Sequence, residues 1–253
     1  MPALVEIARA LVLLLVPLAA WRLGFSYSDW AALALVALGV AIWLGVYRPR
    51  LSRRRAELEV VVIPGSALGH WFTGRMGAGL TAGASVLVGV PVLAWVALRS
   101  PPLVIAVLLA LCVVAGLLSQ WAIRVLGRSL TPPFARVMGH GIGSTVAALL
   151  ALLPLVWLNW AVIAVPHEIT SVGLSEAVAA QIAQLPPRAG WLREGLGLFA
   201  ALDGAKLWLA AQHREALWVG LIFSVDAALV SFVVARSFVA VMEFGRLISG
   251  RDE

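Results

Sequence analysis

The chain has 253 residues, 62% of them hydrophobic and only 13% charged, and its mean hydropathy of +0.97 excludes an ordinary soluble domain, where roughly 25% of residues carry charge. Its net charge of +6 is almost wholly arginine, because Lys206 is the only lysine, and in so apolar a chain basic residues mark cytoplasmic loops before they mark nucleic acid. Cys112, the one cysteine, excludes an intrachain disulfide and a cysteine metal cluster.

These properties predict an all-α polytopic membrane protein, a single membrane domain over 1–253, and the arginine bias points to a bacterial inner (plasma) membrane. A spanning helix needs about 20 mostly apolar residues. Six segments meet that length: 3–24, 28–47, 77–98, 103–123, 139–165 and 216–241. Arg9 ahead of an apolar run also allows the first segment to be a signal peptide, although Leu18 fits the cleavage pattern poorly and another span follows at once. Arg48, Arg50, Arg53, Arg54 and Arg55 fall between the second and third spans, and Arg124, Arg128 and Arg136 between the fourth and fifth. Both stretches read as cytoplasmic loops, which places the N and C termini inside. Pro101 and Pro102 end one helix and begin the next in a tight outer hairpin. Tryptophans at span ends, Trp21, Trp30, Trp95, Trp121 and Trp218, fit interfacial anchoring.

Small residues four apart let helices approach closely in lipid. Gly79 with Gly83, Gly139 with Gly143, and Ser231 between Ala227 and Ala235 therefore predict packing among the third, fifth and sixth spans. Pro17, Pro91 and Pro154, each followed by a tryptophan near its span end, outline a weak threefold hairpin repeat. The acidic residue that mitochondrial carriers place two positions after such prolines is missing here.

Residues 166–215 form the outer-side segment. Leu174, Val178, Ile182 and Leu185 share one helix face that ends at Pro186 and Pro187, the pattern of an interfacial amphipathic helix. Residues 191–211 read as a re-entrant or surface helix, with a seventh span as the alternative. Asp203 and Lys206 are one turn apart there and predict an ion pair.

No catalytic constellation is legible. His70, His140, His167 and His213 sit near span ends or in loops, without the spacing of a metal or haem site. Ser66 and His70 lie on one short segment with no orienting acid, and the glycines at 139–143 lack the lysine of a phosphate loop. Neither metal nor cofactor is expected. The intramembrane candidates for an ion or substrate path are Asp226, about ten residues or ~15 Å into the sixth helix, and Asn159, which can meet it if the fifth and sixth helices pack.

Six spans, inner termini, basic cytoplasmic loops and outer helices before the last span are similar in outline to ABC-2 type permeases, whose cytoplasmic loops contact a separate ATPase. That resemblance is architectural and covers no specific motif. The expected function is a permease-type transport or translocation subunit working with membrane or cytoplasmic protein partners, an ATPase among them, in contact with the lipid bilayer and with no nucleic acid. The alternative is a non-transporting structural or assembly subunit of a membrane complex.

Overall fold

The computed structural model describes residues 2–61, 74–159, 172–186, 190–213 and 217–250. Every regular element among them is a helix: α1 (Pro2–Gly24), a short 3-10 turn (Asp29–Ala31), α2 (Ala32–Val61), α3 (Arg75–Arg99), α4 (Pro102–Leu126), α5 (Pro132–Trp157), α6 (Leu174–Ala183), α7 (Trp191–Gln212) and α8 (Leu217–Ile248). Six helices among the described residues, α1 to α5 and α8, are long and apolar enough to cross a membrane, compatible with an integral multi-pass protein.

The helix ends follow from local chemistry. Ser28 caps the turn after α1 by accepting from the Trp30 amide at 3.2 Å. Gly74, at φ 69°, supplies the left-handed residue that precedes α3. Pro102 opens α4 and Pro132 opens α5, where a missing amide proton costs nothing.

Three expected boundaries are corrected. The arginine-rich stretch after residue 47 continues α2 as helix to Val61, stabilised by Arg53 and Arg54 reaching Glu57 at 2.7 and 3.4 Å across one turn. Helix α5 begins at Pro132 rather than 139, so Arg136 is helical, and its predicted end at 160–165 lies outside the described residues. Helix α8 runs to Ile248 rather than 241.

The core is built around α8, which packs on α1, α2, α3, α4 and α5. Leu14, Leu38, Ile42, Leu93, Leu155 and Phe238 interlock there with small residues such as Ala115 and Ala147. The most extensive pairing is α4 with α5; α8 packs on α3 and α5 as expected, while α3 and α5 touch each other little. A side chain at Gly143 would overlap the Ser119 backbone, and one at Gly139 would overlap Ile123. Gly83 faces the Trp43 ring of α2, and Ser231 is buried with its hydroxyl donated to Ala228 O at 3.1 Å. Among the described residues nothing lies within contact distance of a side chain built at Gly79, so the expected Gly79 contact is not found there.

Helices α6 and α7 form a hairpin over the end of the bundle that carries Arg99. Leu185, Leu192, Leu196 and Ala200 pack there on Trp21, Phe25 and Ala94. Trp21 is fully buried and donates to Ala94 O at 3.1 Å, which corrects its reading as an interfacial anchor. Trp30, Trp121 and Trp218 are exposed. Helix α7 is apolar on its outer face too, through Leu198 and Leu202, yet it is not among the helices long and apolar enough to span.

Candidate functional site

Two polar clusters lie at opposite ends of the bundle, and α8 contributes to both. At the end covered by the α6–α7 hairpin, Lys206 Nζ lies 2.7 Å from Asp203 Oδ1 and 3.0 Å from Asp226 Oδ2. Spacing of three on α7 brings Asp203 and Lys206 together, and packing of α7 on α8, with Ala210 against Val219 and Phe223, brings Lys206 to Asp226. Trp95 Nε1 donates to the other Asp203 oxygen at 2.9 Å. Arg99 stands next to it, donating to Gln181 at 2.6 Å and Gln184 at 2.9 Å, with its guanidinium 5.7 Å from the Trp95 ring.

Burial opposes the Lys206 charge, but the attraction and hydrogen bonds of Asp203 and Asp226 outweigh it and hold the lysine pKa above its ordinary value. Lys206 therefore stays a cation between two acids. These groups line a cavity of about 610 Å³ that also contains Asn159 and Arg99. Among the described residues the partner of Asp226 is Lys206 rather than Asn159, because a cation answers a carboxylate more strongly than an amide does.

The second cluster lies toward the other end. His140 Nε2 is 2.5 Å from Glu243 Oε1, and Arg246 donates to the same oxygen at 3.1 Å. Arg246 Nε is 3.8 Å from Glu6, which also accepts from Gln120 at 2.9 Å. Side chains of α1, α4, α5 and α8 are thereby joined in one network, with the Glu243 side chain only 3% exposed. His140 and Glu243 also line a cavity of about 500 Å³, together with Arg50 and Arg236. Leu229, on α8, lines both cavities.

Sequence reading identified Asp203, Lys206, Asp226 and Asn159, and the structure gathers all four around one cavity. It missed the second cluster. Glu243 and Arg246 fall one turn apart just past the predicted end of the sixth span, a signal that the helix continues, but nothing local pairs them with His140 across 103 positions. His70, His167 and the serine-histidine segment at 64–70 lie outside the described residues. Among the described residues no three His, Cys, Asp or Glu side chains are grouped to hold a metal ion. No family model, curated protein or solved structure matches this chain, so its site is read from its own geometry.

Proposed function

We propose that the protein is a permease-type transport or translocation subunit of a bacterial inner membrane, with α8 forming the wall of the path. The observation that carries this reading is that two charge-lined cavities, at opposite ends of a bundle of spanning length, share α8, with Leu229 in the lining of both. Charges inside a membrane bundle are costly and mark ion or substrate paths. Asp226 and Lys206 guard the outer cavity in this reading, and Arg50, Arg236, His140 and Glu243 the inner one. The arginines of α2 then lie on the cytoplasmic side, with both termini inside. The chain carries no nucleotide motif, so a partner, an ATPase among the candidates, supplies any energy from ATP.

Purification in mild detergent followed by reconstitution into vesicles loaded with a pH-sensitive dye tests this reading. The protein, with whatever partners co-purify, is expected to pass protons or a proton-coupled substrate above the rate of empty vesicles. Asp226→Asn is expected to lose that flux, or its pH dependence, at unchanged abundance. A stable complex whose activity is indifferent to Asp226→Asn would instead make this chain a non-transporting assembly subunit.

A further inference from the structure

The cavity between α2, α3, α5 and α8 has an uneven charge. Among the described residues its one lining carboxylate, Glu243, is already engaged by His140 and Arg246. Arg50 and Arg236 line the same space, and among the described residues neither has a carboxylate partner. Arg236 lies 4.9 Å from the Phe232 ring, and its buried Nε has no hydrogen-bond acceptor. Thr81 and Ser85 donate their hydroxyls to carbonyls of their own helix, so the charged donors left unspent in the cavity are the guanidiniums, beside the neutral Ser237 hydroxyl and His140 Nδ1. Two cations sharing a partly buried space repel each other and lack solvation, and an anion between them relieves both costs. Planar guanidinium forks match the oxygens of a phosphate.

The walls indicate how that phosphate arrives. Val88, Leu229 and Phe232 line the cavity and are 48, 48 and 43% exposed, although Val88 and Leu229 lie well inside helices of spanning length. The cavity thus opens on the side of the bundle, where apolar side chains face the bilayer, while its arginines sit where α2 turns basic. A headgroup at the arginines and an acyl chain along Val88, Leu229 and Phe232 fit both features. We propose that this cavity is a binding site for a phosphate oxyanion carried by an anionic phospholipid. The site stands whether or not the bundle transports; only the further step, that this lipid class is what moves, rests on the transport reading.

The test is native mass spectrometry of delipidated protein titrated with dioleoyl phosphatidylglycerol, with glycerol phosphate, and with dioleoylglycerol. Three proteins are compared: wild type, Arg50→Gln/Arg236→Gln, and Arg48→Gln/Arg55→Gln, which removes the same charge from exposed positions. Thermal midpoints establish that all three fold. Phosphatidylglycerol is expected to bind wild type and the exposed-site control alike, at least tenfold more weakly to the cavity variant, and dioleoylglycerol not at all. Glycerol phosphate binding with the same arginine dependence would support the oxyanion site and assign it to a soluble anion. Equal lipid binding by both double variants would overturn the proposal, leaving arginines that only extend toward the headgroup layer.

Discussion

Replacing Lys206 by methionine keeps the length of the side chain and removes the cation that two acids share. At an effective dielectric of 20, one unit pair at 4 Å is worth about 4 kcal/mol before desolvation is counted. Lys206 has two such partners, both closer than that, in a site where the three side chains are 21, 24 and 33% exposed. Breaking a fully buried pair costs about 3–5 kcal/mol because a charge is left alone. Partial exposure lowers this, so about 2–3 kcal/mol is expected here. For a chain of this length that corresponds to a fall of about 5–10 °C in the apparent midpoint. Thermal unfolding in detergent, followed by tryptophan fluorescence, reads it, since Trp95 is bonded to Asp203. Lys206→Arg should recover most of the loss. In a double-mutant cycle, adding Asp226→Asn to Lys206→Met should cost at least 1 kcal/mol less than the sum of the single effects, in the sense of coupled sites. The raised lysine pKa fixes the pH window. A group whose folded pKa is raised stabilises fully below its unfolded pKa, about 10.4 for lysine, and loses that stability as pH rises through the folded value. The Lys206 contribution is therefore constant at neutral pH and disappears only above about pH 10. A midpoint unmoved by Lys206→Met, or additive behaviour with Asp226→Asn, would mean that the two acids do not share this cation.

The remaining expectations concern packing and the second cluster. Gly143→Leu should destabilise by about 1–3 kcal/mol or more, because any side chain there meets the Ser119 backbone, whereas Gly79→Leu should be nearly silent; equal midpoints for the two variants would contradict the α4–α5 contact. Glu243→Ala leaves His140 and Arg246 facing each other in a buried space and should cost about 3–5 kcal/mol, with Glu243→Gln milder. Equal abundance of both variants at wild-type level would argue against the network. Cys112, 2% exposed, should resist maleimide in the folded protein and react fully after denaturation; rapid labelling of the folded chain would contradict its place in the core.

The spans were legible because apolar length is a local property, and each predicted segment overlaps an observed helix. The ends were less so. Charges after residue 47 read as loop by composition, yet Arg53, Arg54 and Glu57 sit at helical spacing and carry α2 onward. Asp203 and Lys206 could be paired from sequence because they are one turn apart, while the bond from Lys206 to Asp226 depends on how α7 folds back on α8. Small residues show the same division: Gly139 and Gly143 look like Gly79 and Gly83 in sequence, but only the surrounding helices decide that Gly143 is pressed on Ser119 and Gly79 on none of the described residues. His140 with Glu243, and Arg50 with Arg236, are brought together by tertiary packing alone.

In the proposed path Leu229, which lines both cavities, stands at the passage from one to the other. The most direct measurement is the reactivity of Leu229→Cys, in a Cys112→Ala background, toward a membrane-impermeant maleimide applied separately to each face of sealed, oriented vesicles. Labelling from both faces, slowed by Asp226→Asn, is expected, whereas a cysteine reached from one face alone or from neither would mean that α8 lines no continuous path and that the cavities are separate dents in a structural bundle.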